Sequence, residues 1–368
     1  MIITPQQKIN LRIILTIMLT WTIVGVFIVF YNNTLLNTPY LSIGPSKIYK
    51  LNVQLLIWSF ISALGGLIAG SFLVYTNSKV FRKKSFIYAL ITTLYSYVIL
   101  FIFLMSAYLT IRSYSALGEN ANLKSVLTLA LSMAQNIYPF VQFILWGGIT
   151  LLTLFMLQMN DKFGPGILKK FLLGQYYHPK KEDRVFMFLD MKSSTTIAER
   201  IGNEKYFNLL SNLFSDLTDT ILNNEGEIYQ YVGDEIVISW PTKSAIKNAN
   251  CINCYFDIKN KLIELSSYYQ SKYQTIPSFK AGLHCGIVMA GEVGVIKKDI
   301  IYSGDVLNTT SRIQAKCNEF KTDLLISQHI LQRFESKDLT SFKTEKIGSI
   351  ALRGKKEEII INSIAYLS

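Results

Sequence analysis

Two acids stand where strand-like sequence stops. Asp190 closes the apolar run VFMFLD (185–190), and Asp234 lies between two apolar runs in QYVGDEIVISW (230–240). Carboxylates at adjacent strand ends can hold Mg2+ or Mn2+, because hard cations take oxygen ligands. Ser193, Ser194 and Thr195 follow the first acid and open a helical pattern, whose first backbone N–H groups can cradle phosphates. Metals bridging phosphates beside a helix N-terminus would make a nucleoside triphosphate site. The same residues also suit a turn and a cap, because Gly and Asp tolerate tight-turn backbone angles. A second group is Asn308 and Arg312 in SGDVLNTTSR (303–312). Four residues apart on a helix, they share one face. An amide and a guanidinium projecting together can hold a ribose and a charged phosphate. Taken alone, an exposed polar helix face accounts for them as well.

These residues need strands and helices to bring them together. Residues 185–190 read as a first strand and 197–201 as a helix start, with helical sequence continuing over 206–222. Residues 227–231 and 235–240 form a hairpin, and helical sequence resumes to about 269. Residues 279–288 alternate apolar and polar like a strand. Another strand covers 299–302, a helix 306–317, and short strands lie near 324, 342 and 359. Alternating elements of this kind predict an α/β or α+β sandwich around one sheet.

The first half of the chain is of another kind. Up to Met159, Glu119 is the sole acid. Four apolar stretches, about 11–31, 55–75, 86–109 and 138–159, have the length of about 20 residues that a spanning helix needs. No small-residue cleavage site follows the first, so a removable signal peptide is not expected. Lys79, Arg82, Lys83 and Lys84 crowd one loop, Lys8 and Arg12 precede the first stretch, and Lys162, Lys169, Lys170, Lys180 and Lys181 follow the last. Positive residues favour the cytoplasmic side, so the N-terminus and the second half are expected there. The loops 32–54 and 112–136 then face outward, too short for a large external ligand domain. The domain plan is thus a four-span transmembrane region (1–159) in a lipid bilayer, a linker (160–183) and a soluble domain (184–368). Within the linker, ILKKFLLGQYY (167–177) could lie on the membrane or pair with a second copy. The net charge of +12 is mostly topological. No basic patch interleaved with stacking aromatics points to nucleic acid as a partner. Cys251 and Cys254 have metal-ligand spacing but no second pair nearby, which favours buried thiols.

Taken in order, FLDMKSST, YVGDEIVISW and SGDVLNTTSR, with ALRGK near the end, resemble the class III nucleotidyl cyclases over about 184–368. The resemblance implies a ferredoxin-like sheet with helices, in a head-to-tail homodimer. It implies two divalent ions, Mg2+ or Mn2+, on Asp190 and Asp234. It assigns Asn308 and Arg312 to the ribose and the transition state, and Arg353 to the terminal phosphates. The implied reaction turns a nucleoside triphosphate into a 3′,5′-cyclic nucleotide and pyrophosphate at the plasma (inner) membrane.

The base-reading positions depart from the family pattern. Gln230 stands where adenylate-forming members carry Lys, and Ile301 where they carry Asp or Thr. The Glu and Cys of guanylate-forming members are absent as well. Gln can still donate to and accept from a base edge, and ATP remains the first expectation. A diguanylate cyclase is the nearest rival, but Val232 and Ile236 replace the Gly and Phe of its hairpin motif. A non-catalytic receptor with a degenerate nucleotide domain would be expected to have lost one of Asp190, Asp234, Asn308 or Arg312.

Overall fold

The computed structural model describes residues 5–36, 51–81, 84–164, 170, 173–296, 298–351 and 358–367. Arg82, Lys83, Arg353 and most of the 167–172 stretch therefore lie outside the described residues. The chain divides into two compact units, one formed by Gln7–Phe163 and the other built mainly from Gly164–Ser368.

The first unit is helical: α1 (Pro5–Leu36), α2 (Leu51–Lys79), α3 (Phe86–Leu117), α4 (Leu123–Ala134) and α5 (Ile137–Phe163). Four helices, Gln7–Thr34, Leu51–Asn77, Phe86–Leu117 and Ile137–Lys162, are long and apolar enough to cross a membrane. Each outruns its apolar stretch, because helical hydrogen bonding continues through polar flanks. Helix α4, inside the segment read as an outward loop, is too short to span. Its start is fixed by a reciprocal cap, Ser125 N–H donating to Asn122 Oδ1 at 2.8 Å. Trp58 stacks on Trp146 at 6.3 Å, and Trp21 and Tyr108 pack around them. Asn77 of α2 joins α5 by donating to Asp161 Oδ2 at 2.6 Å while accepting from Gln158 at 2.7 Å.

The second unit is a mixed sheet covered on both faces. Its strands are β1 (Lys180–Met191), β2 (Glu227–Val232), β3 (Glu235–Pro241), β4 (Phe279–Val293), β5 (Asp299–Ser303), β6 (Leu324–Ser327), β7 (Phe342–Ala351) and β8 (Glu358–Tyr366). They lie in the order β2-β3-β1-β4-β6-β8-β7, with β5 added on β4. All neighbours are antiparallel except β4 and β6. Helices α6 (Ser194–Ile201), α7 (Asn203–Asn223), α8 (Thr242–Ile246), α9 (Asn250–Glu264), α10 (Ser266–Tyr273), α11 (Asp305–Ala315) and α12 (Gln328–Leu331) surround it.

The apolar run 185–190 is continuous because β1 is buried on both faces. Val185, Met187 and Leu189 meet Leu209, Leu213, Leu217 and Ile221 of α7 on one side. Phe186 and Phe188 meet Tyr302 and Val306 on the other. Strand β1 begins at Lys180, inside the segment read as linker, and its first residues pair with Met289 and Ala290 of β4. Charged residues there hid a strand whose apolar run starts only at Val185. Buried Arg184 bonds Glu182 at 3.0 Å and Ser239 at 2.9 Å, pairs with Glu227 and lies 4.7 Å from the Tyr302 ring centre. Tyr176 donates to Glu182 at 2.9 Å and Lys170 pairs with Glu227 at 3.4 Å, tying the segment after α5 to β1 and β2.

Candidate active site

The hairpin turn is built around Gly233, whose φ of 62° suits glycine, followed by Asp234. Register then does the positioning. Asp190 pairs opposite Glu235 in β3 and opposite Lys280 in β4. Leu189, Ile236 and Ala281 point into the α7 core, so by strand alternation Asp190, Glu235 and Lys280 share the other face. They form a row across three strands, with Asp234 at its edge.

Helix α11 closes over this row. A Cβ on Gly282 would stand 2.4 Å from the Gln314 nitrogen, so a glycine here lets the helix press onto β4. Gln314 then donates to Asp190 Oδ2 at 3.0 Å. Thr309, Thr310, Ile313 and Gln314 are buried, whereas Asn308 is exposed and Arg312 half-buried. Neither the Asn308 nor the Arg312 side chain bonds a described residue. The pair points away from the chain's own acids.

The acids repel one another. Glu235 is pushed up to about 7, first by burial, then by the charges of Asp190 and Asp234, while Lys280 pulls it down. A folded-state value above the ordinary carboxylate range stabilises the fold fully at acid pH, and that contribution is lost as pH rises through about 7. The melting temperature in chelator should therefore fall between about pH 5 and pH 7 and level off above that. Glu235→Gln should flatten that fall; an unchanged slope would remove Glu235 from the cluster.

Tyr206 of α7 adjoins the same acids. Its hydroxyl is raised by burial, then by Asp234 and Asp190, and lowered by a hydrogen bond with Ser194. Ser193 adopts a left-handed conformation (φ 55°) and its side chain makes no cap hydrogen bond to α6, which begins with Ser194 and Thr195. Gln230 and Ile301 are both exposed. Each is one residue from a contact joining β2 to β5, where the Tyr302 N–H donates to Tyr229 Oη at 3.3 Å. Arg353 is outside the described residues. Cys251 and Cys254 are free thiols buried in α9, both raised mainly by burial.

Glu235, Lys280, Gln314 and Tyr206 were not among the candidates read from sequence. Gln314 lies two residues past Arg312, on the opposite helix face, and Lys280 is a polar residue of an alternating strand. Those patterns gave their faces but not their common partner.

Asp190 and Asp234 supply hard oxygen donors, and Mg2+ is usually held by one or two carboxylates plus substrate phosphates. Among the described residues, no three His, Cys, Asp or Glu side chains gather as a complete cage. Glu235 is raised first by burial and then by the charges of Asp190 and Asp234, and a bound cation would offset that crowding of acids, so the donor set fits a substrate-bridged divalent ion.

A fold with these features has relatives. The family model of the adenylate and guanylate cyclase catalytic domain matches residues 176–363, and the chain belongs to that family. It is 34% identical over 211 residues to adenylate cyclase 2 of Rhizobium meliloti (strain 1021), covering 57% of this chain and 58% of that protein. It is 24% identical over 190 residues to adenylate cyclase 1 of the same organism, covering 50% of this chain and 28% of that protein. The chain thus spans less than two thirds of either relative. A bacterial light-regulated adenylyl cyclase structure shares the fold, with a TM-score of 0.50 and 19% identity over 63% of this chain and 67% of that one.

Proposed function

We propose that the protein is a membrane-anchored cyclase that converts a nucleoside triphosphate, ATP first, into its 3′,5′-cyclic nucleotide and pyrophosphate. The observation that carries this reading is the pairing of Asp190 opposite Glu235, which sets Asp234 beside Asp190 at one sheet end. Family membership and the adenylate cyclase relatives support it. Two divalent ions on Asp190 and Asp234, Mg2+ or Mn2+, would neutralise phosphate charge and ease loss of the ribose 3′-proton. The 3′-oxygen attacks the α-phosphorus, and the bond to the pyrophosphate oxygen breaks. Asn308 orients the ribose, and Arg312 neutralises charge developing on the transferred phosphoryl group. The first turn of α6 at Ser193, Ser194 and Thr195 faces the phosphates, and Arg353 takes their terminal end.

The outward aim of Asn308 and Arg312 favours a homodimer in which each chain lends this pair to the other chain's acids. The spans would hold two catalytic domains at high effective concentration. The distribution of Lys and Arg favours a cytoplasmic catalytic domain at the plasma (inner) membrane.

A cyclic-nucleotide immunoassay on purified protein with Mn2+ and each of ATP, GTP, CTP and UTP tests the reading. Absence of cyclic product from all four would sink it. Gln230→Ala should raise KM severalfold or shift base preference, with kcat falling far less than for loss of Asp190. An unaltered preference across the four nucleotides would place base recognition elsewhere.

A further inference from the structure

Asp190 is held from two sides, and both contacts fall on one oxygen. Gln314 Nε2 donates to Oδ2 at 3.0 Å, and Lys280 Nζ lies 3.1 Å from the same atom. Lys280 is placed by register, directly opposite Asp190 in β4, and its side chain is only 15% exposed. An enclosed ammonium beside a carboxylate is a much stronger influence than a surface ion pair, because little water screens it. We propose that Lys280 is a built-in counter-cation of the acidic row, a positioning residue that anchors Asp190 through Oδ2. This rests on the reading of Asp190 and Asp234 as metal ligands.

The arrangement has two opposing effects. Before metal arrives, the ammonium offsets repulsion among Asp190, Asp234 and Glu235 and fixes the Asp190 side chain. It also repels an incoming cation, so it holds metal affinity below what the carboxylates alone would give. Removing the charge should therefore tighten metal binding while loosening the metal-free fold. A merely structural ion pair would change stability and leave affinity unchanged or weaker.

The test uses the full chain in detergent with a fixed concentration of a 3′-deoxy ATP analogue that cannot cyclise, because the ion is read as held by carboxylates and substrate phosphates together. Free Mn2+ is followed by electron paramagnetic resonance, and the melting temperature is read in chelator and in excess Mn2+. Lys280→Met should bind Mn2+ roughly tenfold more tightly, as expected for loss of one nearby charge. It should melt lower in chelator and recover in excess Mn2+. Lys280→Gln keeps a donor for Oδ2 without the charge, and should show the same gain in affinity with a better-preserved fold. Lys280→Arg should stay within about twofold of the unsubstituted protein, because it retains the charge. Unchanged or weaker Mn2+ binding in a folded neutral variant overturns the proposal. If the unsubstituted protein shows no Mn2+ binding that Asp234→Ala removes, the metal reading itself fails, an outcome distinct from the first.

Discussion

Asp190→Ala and Asp234→Ala are each expected to lower cyclic-nucleotide formation by at least about 100-fold, the scale of losing a group aimed at transition-state charge. Asp→Asn should be nearly as damaging at either position, since a neutral amide keeps the shape but not the charge. The two sites differ in their effect on the fold. Asp190 neutralises enclosed Lys280 and accepts from Gln314, so Asp190→Ala leaves both without that partner. Asp234 sits in a turn and is half-buried, so its loss should change stability little. Activity measured with Mn2+ and read beside a melting curve separates the two effects. Retention of a tenth or more of the original activity by folded Asp234→Ala would show that this carboxylate does not hold the metal.

The second expected result is complementation between two dead variants. Asp190→Ala and Arg312→Ala should each be inactive alone and regain activity when co-expressed. In the chain, Gln314 turns inward to Asp190 while Asn308 and Arg312 turn outward on the same helix. A head-to-tail dimer would therefore build each site from the acids of one copy and the Asn–Arg pair of the other. A mixed dimer then holds one site with every group and one with both lesions. Random mixing makes about half the dimers mixed, each with one good site of two, so recovery should approach roughly a quarter of the unsubstituted activity. Recovery is scored against mixed dimers counted by pull-down with two tags. Mixed dimers without activity would mean that each site is built within a single chain.

Much of this was legible in the amino-acid order. The four helices long and apolar enough to cross a membrane follow from composition, because about 20 apolar residues in a row leave few other structures available. The hairpin carrying Asp234 follows from two apolar runs about a Gly-Asp turn, and the shared face of Asn308 and Arg312 from helical spacing. These are local properties, set by residues within a few positions of one another. Tertiary structure decided the rest. That Asp190 faces Glu235 on one side and Lys280 on the other depends on the registers of β3 and β4, whose residues lie 45 and 90 positions away along the chain. That Gln314 reaches Asp190 depends on the close approach of α11 at Gly282. The charged start of β1 became strand because β4 supplied its hydrogen-bond partners, against a sequence without alternation at Lys180. The order of residues determined which groups could do chemistry; strand pairing between distant segments decided which of them met, because a register is set by packing of the whole sheet face rather than by any one segment.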